Sequence, residues 1–310
     1  MPRSATFIAR SFADASEQEG ALAGWEQRYI QVGRGRFEGA AAFLNFGRVS
    51  VGEERLNVDV AESTSPPPGK VAIIVHNEMV HGRINGQKSS AQLFLHRGGH
   101  QIDLSTGTAQ SSSFYLVADE AAFADIDFRK LPAIGPIAAY PEADELARWI
   151  SSVISSAPET LRRSPGALER VLPAMLLERI SELCRHAGHG TVVHLRESYA
   201  HALFSRARKR VDDMPYDGLS VAALADELRV PQHVLRQAFI ESTGVSPRVW
   251  LRQHRLGRAR RAMLRPDGQP KTVAQIATDA GFFHLGRFAA YHAETFHESP
   301  IETLRAAAGL

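Results

Sequence analysis

Between Trp25 and about Val117 the apolar residues come in short runs instead of at helical spacing. Residues 41–46, 71–75, 91–95 and 113–117 are such runs. Turn-forming clusters separate them: Ser-Pro-Pro-Pro-Gly at 65–69, then Asn85-Gly86, Gly98-Gly99 and Thr106-Gly107. This pattern predicts short strands, and strands about ten residues apart predict a small barrel or jelly roll. Residues 1–20 are polar and are expected to fray. After Pro141 the period changes. Leu146, Trp149, Ile150 and Val153 predict an amphipathic helix over about 142–156. Leu168, Val171, Leu172, Leu176, Ile180 and Leu183 predict a second over about 165–186, with a kink at Pro173. Their apolar faces either cover the barrel or pair with a second subunit. Gly188-His189-Gly190 is the best linker, and a helix over about 194–212 opens the next domain.

The rest of the chain carries one pattern twice. The first copy runs Val221, Leu224, Ala225, then Leu235 and Phe239, and closes with Gly244, Ser246 and Pro247. The second runs Val273, Ile276, Ala277, then Phe288 and Phe296, and closes with Ser299 and Pro300. Val221 and Val273 are 52 positions apart and Pro247 and Pro300 are 53, so the second copy holds one more residue in its middle turn. Such self-similarity means one supersecondary unit used twice. Ser220 and Thr272 stand at N-cap positions. Ala225 and Ala277 are small enough for a second helix to cross closely, and Leu235 and Phe239, four apart, share the face that packs back. The unit is a helix-turn-helix, whose second helix enters the DNA major groove. Val249, Leu256, Ala259 and Met263 predict one long helix joining the copies, ended by the polar loop 265–270.

Composition narrows the class. Of the residues 44% are hydrophobic and 23% charged, as in a soluble globular protein, and 310 residues suffice for two domains. No apolar run is long enough to span a membrane, and Met1 to Phe12 has no apolar stretch of the signal-peptide kind. The single Cys184 excludes an internal disulfide framework and a cysteine-rich zinc site. A cytoplasmic protein is the expectation. The net charge of +2 conceals an asymmetry: 20 Lys and Arg against 23 acids over residues 1–199, but 16 against 11 over 200–310. Residues 219–265 hold nine Arg and three acids, and Arg suits bidentate phosphate and guanine contacts.

With Leu235 and Phe239 inward, Gln232, His233, Arg236 and Gln237 turn outward as DNA readers. In the second copy His284 and Arg287 lie near the helix start, where base contacts concentrate. Arg236 and Arg287 are expected to pair with guanines and Arg252 of the joining helix to contact a phosphate, with Arg255 beside it also at the DNA.

Residues 200–305 resemble the AraC/XylS family of bacterial transcription regulators. The resemblance rests on Leu224-Ala225 with Leu235 and Phe239, on Gly244-Val245-Ser246-Pro247, and on Leu251-Arg252 with Arg255-Leu256. It continues through Ile276-Ala277, Gly281-Phe282, Phe288 and the run Phe296 to Pro300. His297 departs from the family's usual Gly at a helix end. The N-terminal part is similar, more weakly, to sensory domains of one subset of that family, through Trp25 with Arg28-Tyr29, Phe37 with Gly39, and Glu54 with Asn57. That subset includes regulators that sense ethanolamine with cobalamin and one that senses cyclic di-GMP.

The resemblance implies an α+β multidomain chain: a cupin-like, effector-sensing β-barrel over 1–140, a helical dimerisation and linker segment over 141–193, and a double helix-turn-helix domain over 194–310. It also implies activation, a homodimer on promoter half-sites, and RNA polymerase as a partner. For the effector, Arg34 and Arg36 in one turn and Asp103 and Ser105 at a strand end are the candidates. Their spacing departs from the cyclic di-GMP pattern: the arginines are too close together and Gly107 comes one residue early. Cyclic di-GMP, another small effector and plain surface charge stay open as alternatives.

Cupins often hold metals through a His-x-His pair, which is missing here; His76 and His81 are five apart, and His96 and His100 four. Neither a metal nor a cofactor is expected, and no nucleophile elbow or phosphate loop points to an enzyme. The rival class is a metal-dependent cupin enzyme fused to a DNA-binding module, which metal analysis of the purified protein would reveal.

Overall fold

The structure, a computed structural model, describes residues 5–77, 82–88, 93–107, 110–137, 143–189, 198–213, 220–265 and 271–308. Twelve strands occur among them: β1 (Thr6–Phe12), β2 (Glu26–Gln31), β3 (Gly39–Asn45), β4 (Val49–Leu56), β5 (Val60–Ser65), β6 (Lys70–Asn77), β7 (Arg83–Ile84), β8 (Gln87–Lys88), β9 (Leu93–Arg97), β10 (Ile102–Ser105), β11 (Ser111–Asp119) and β12 (Ile134–Pro136). All ladders are antiparallel. The strands form two sheets and not a closed barrel: one of seven in the order β1-β3-β4-β11-β6-β9-β12, one of five in the order β2-β5-β10-β7-β8. The sheets face each other, so that Tyr29 of β2 hydrogen-bonds Glu54 of β4 across the gap. Asn85 and Gly86, both at positive φ, close the β7–β8 hairpin as the Asn-Gly pair predicts.

The N-terminal residues differ from expectation. Thr6–Phe12 does not fray; it pairs along its whole length with β3 as an edge strand. The one-turn helix α1 (Ala15–Gln18) follows, capped by the Asp14 carboxylate.

Two helices, α2 (Ala143–Arg163) and α3 (Pro165–His189), come next. Both are longer than their apolar spacing predicts, and α3 runs through Pro173 to His189, where a linker was expected. They cover the seven-stranded sheet. Leu146, Ile150 and Ile154 of α2, and Leu172, Leu176, Ile180 and Leu183 of α3, share one core with Val51, Val71, Ile73, Leu95 and Leu116. Alternation explains this: Val71, Ile73 and Val75 point to the helices while Ala72, Ile74 and His76 point into the gap between sheets. On α3, Val171 and Met175 stay exposed. The expected boundaries at 140/141 and 193/194, Gly190, residues 91–92, His81 and the loop 266–270 lie outside the described residues.

The C-terminal helices are α4 (Tyr199–Asp213), α5 (Val221–Glu227), α6 (Gln232–Thr243), α7 (Pro247–Leu264), α8 (Val273–Asp279), α9 (Leu285–Phe296) and α10 (Pro300–Ala307). Each copy of the repeat has its own core. Trp250 and Leu251 of α7 enter the first, with Phe204, Leu224, Leu235 and Phe239. Leu256, Ala259 and Met263 of the same helix enter the second, with Ile276, Phe288 and Phe296. Among the described residues no helix is long and apolar enough to cross a membrane.

Candidate nucleic-acid interface

In the first unit the Ser220 hydroxyl accepts from the Ala223 N–H, which starts α5 at the expected residue. After α5 the chain turns through Arg229 at φ 55° and Val230, and α6 begins directly behind Pro231. Leu235, Ala238 and Phe239 of α6 are buried. The Phe239 ring meets Phe204 at 5.1 Å and Trp250 at 5.4 Å between centroids, edge to face. This inward face turns Gln232, His233, Arg236 and Gln237 to the surface, and all four are exposed. The Gln237 amide donates to Glu241 one turn later, at 2.7 Å.

The second unit is built alike. Thr272 and Gln275 form a capping box at the start of α8. In α9 Phe288 is buried, and His284 and Arg287 are exposed near its start. His292, also buried, is bonded through Nδ1 to the Glu298 carbonyl at 2.9 Å; burial pushes its pKa down to about 4, so it is neutral core. From α7 the Arg252 guanidinium lies 4.7 Å from the Tyr291 ring of α9, a cation–π contact that ties the joining helix to the second unit. Arg252, Arg255 and Arg287 border, with Arg248, a cleft of about 450 Å³ between the units. Arg248 is an exposed cation that the helical spacing did not single out.

The arginine excess serves two surfaces. Arg260 is buried and reaches Asp14 of the N-terminal domain as well as Glu298. Arg261 pairs with Glu19 at 2.6 Å, and Arg265 donates to the Ser16 carbonyl. These three face the N-terminal domain. Glu19 is nonetheless pushed above the usual carboxylate range, because its burial outweighs the opposing charge of Arg261.

Two of the four effector candidates, Arg34 and Asp103, also meet C-terminal helices. Arg34 forms an ion pair with Glu294 of α9 at 2.5 Å, and the neighbouring Gly35 N–H donates to the Thr295 carbonyl. Arg36 is exposed, and its carbonyl accepts from Asn57. Asp103 takes hydrogen bonds from His201 at 3.0 Å and Ser205 at 3.1 Å, and an ion pair from Arg208, all on α4. Burial alone would raise its pKa; the His201 hydrogen bond and the Arg208 charge outweigh that and hold it below the usual range. Ser105, on the same strand, is buried and paired opposite Ala61 and Arg83. A cavity of about 910 Å³ lies between the five-stranded sheet and helices α4 and α7, bordered by Asp103, Arg208, Lys209 and Trp250.

The gap between the sheets is polar, which no motif signalled. Glu54 and Glu62 are both buried, and Glu54 accepts from Gln18, Tyr29 and Tyr115. Gln27 donates to Glu62. Burial, and then the Glu54 charge, push Glu62 up to about 8. His76 bonds Ser113 and His96 bonds the His100 carbonyl; burial lowers both to about 4.

A family described as a helix-turn-helix domain matches residues 224–306. The chain is 31% identical over 102 residues to XylDLEGF operon transcriptional activator 3 of Pseudomonas putida, covering 33% of this chain and 31% of that protein. It is 39% identical over 87 residues to the probable thc operon regulatory protein of Rhodococcus erythropolis, covering 28% and 26%. The matches thus span about a third or less of these relatives' length. Among solved structures, ToxT of Vibrio cholerae O395 aligns over 99% of each chain at 12% identity with a TM-score of 0.33. The doubled unit on one joining helix, with the family match and these relatives, makes residues 224–306 a helix-turn-helix domain of the AraC type.

Proposed function

We propose that this chain is a transcription regulator that binds double-stranded DNA sequence-specifically and activates transcription in response to a small-molecule effector. One observation carries the reading: two equivalent helices, α6 and α9, are held by a single helix whose side chains enter both cores. Units fixed in this way present α6 and α9 to successive major-groove segments on one DNA face, about one helical turn apart. Gln232, His233, Arg236 and Gln237 read bases. Arg252 and Arg255, with His284 and Arg287, contact the DNA between and beside the grooves. The relatives' description as operon activators favours activation, with RNA polymerase as partner. The proposed organisation is a sensory domain over 1–140, helices over 141–193 and a DNA-binding domain over 194–310. Val171 and Met175, exposed four residues apart on α3, support a homodimer through these helices.

The effector belongs to the N-terminal domain or to the cavity it shares with α4 and α7. Cyclic di-GMP is the specific form of this proposal. Titration calorimetry with wild type and with Arg34→Ala/Arg36→Ala tests it: no heat with wild type removes cyclic di-GMP as the effector. For DNA, sites are selected from a random pool and affinities measured at several salt concentrations. Arg236→Ala should cost about 1–3 kcal/mol and relax one base position, whereas Arg252→Ala should weaken all sequences alike and flatten the salt dependence. Wild-type affinity and an unchanged site profile for both variants would sink the reading.

A further inference from the structure

Helices α6 and α9 are each 12 residues long, and each ends in a left-handed residue, Gly244 at φ 77° and His297 at φ 53°. They therefore correspond position by position. Buried residues bear the register out: Leu235 matches Phe288, Phe239 matches His292, and Thr243 matches Phe296. The outward positions of α6 are Gln232, His233, Arg236 and Gln237. Their counterparts in α9 are Leu285, Gly286, Ala289 and Ala290, all exposed as well. One reading face is built of hydrogen-bonding groups, and the other has none. Arg287 matches the half-buried Val234, and so stands at the side of that face, toward the arginines of α7.

Two further features mark the apolar face as a contact surface. Leu285 is 47% exposed, and Phe283, two residues before it, 68%. Large apolar side chains left in water beside a row of cations call for an apolar partner that is itself set among negative charges. Gly286 gives the second. A Cβ added there would meet nothing within 4 Å, so no internal contact requires glycine. Glycine in a helix lowers its stability, and what it permits is close approach by something outside the chain. In the major groove the one apolar group on a base edge is the thymine C5-methyl.

We propose that α9 reads its half of the operator through thymine methyl groups, with Leu285, Ala289 and Phe283 as the specificity-determining residues and Gly286 admitting the groove edge. This rests on the DNA-binding reading above. The two halves of the operator are then unlike in kind. The half under α6 is recognised by hydrogen bonds to purine edges. The half under α9 is a thymine-rich step recognised by shape and apolar contact, with Arg287 and His284 anchoring the flanking phosphates.

The test uses the full-length chain and its selected site. Thymines are replaced by uracil one half at a time, which removes only the C5-methyl, and affinity is read by gel shift. In the α9 half each contacted methyl should be worth about fourfold, the fold-change expected for burying one methyl group. In the α6 half the effect should be smaller than twofold. Leu285→Ala, an exposed change that leaves the core untouched, should abolish the thymine–uracil difference at its position without altering selection in the α6 half. Uracil tolerated throughout the α9 half overturns the proposal, as does a selected guanine there that Arg287→Ala erases. In either case a base preference kept in the α6 half leaves the DNA-binding reading standing. A chain that selects no sequence at all overturns both.

Discussion

Removing the Asp103 side chain should loosen the contact between the N-terminal and C-terminal domains. Asp103 is 7% exposed at its side chain, and its partners His201 and Arg208 are 7% and 14% exposed. Its backbone is held independently, paired opposite Ser63 and bonded in both directions to Asn85, so the strand survives the truncation. What Asp103→Ala leaves behind is a guanidinium and an imidazole facing an apolar methyl. Breaking a buried pair from one side costs about 3–5 kcal/mol, a large part of a stability of roughly 5–15 kcal/mol. Chemical denaturation of Asp103→Ala, Arg208→Ala and the double variant measures the term. The double variant should lose less than the sum of the singles, with a coupling above about 1 kcal/mol. Asp103→Asn, which keeps an acceptor for Ser205, should fall in between. The folded-state pKa of Asp103 lies below the usual carboxylate range. Its stabilisation is therefore present above the unfolded-state pKa and is lost as pH falls through the folded one, so the variant's deficit should shrink in acid. A loss under about 1 kcal/mol with no coupling to Arg208 would refute the idea that this carboxylate joins the domains.

Glu62→Gln should make the N-terminal domain less sensitive to alkali. Glu62 titrates at about 8 in the fold, well above its ordinary value, so wild-type stability falls as pH rises from the carboxylate range through about 8. Thermal melts from pH 5 to 9 should show wild type losing stability and the variant staying nearly level; parallel curves would count against a buried, protonated Glu62. His297→Gly should raise stability by about 1 kcal/mol, because His297 sits at φ 53°, where an L side chain is strained and glycine is not. An unchanged or lower melting temperature would mean that the His297 side chain makes compensating contacts.

The doubled DNA-binding unit was legible in the sequence because its information is local. Caps, helical periodicity and the closing Ser-Pro all act within a dozen residues, and Ser220, Thr272, Leu235 and Phe239 stand where that reading puts them. The outward face of α6 followed from its inward face. In α9, His284 and Arg287 are exposed near the helix start, where the sequence puts them, and the equal lengths of the two helices show that Leu285, Gly286, Ala289 and Ala290 occupy the positions matching the outward face of α6.

The N-terminal domain was legible as a set of strands but not as an arrangement. β1 escaped because an exposed edge strand, with only Phe12 buried, carries no apolar alternation to detect. Barrel or open sheets, and helices covering the sheet or left for a partner, depend on which faces meet, and apolar patterning names the faces without naming their partners. The charged contacts lay furthest from reach. Asp103 and Arg208 are 105 positions apart, and Asp14 and Arg260 are 246 apart. Nothing in either residue's neighbourhood along the chain marks it for the other. The sequence by itself therefore determined the repeat, its helices and their inward faces, all set by short-range sterics and periodicity. The tertiary structure alone decided which arginines hold the domains together and which stay exposed on the cleft between the units, because that depends on which charges the packing of distant elements buries side by side.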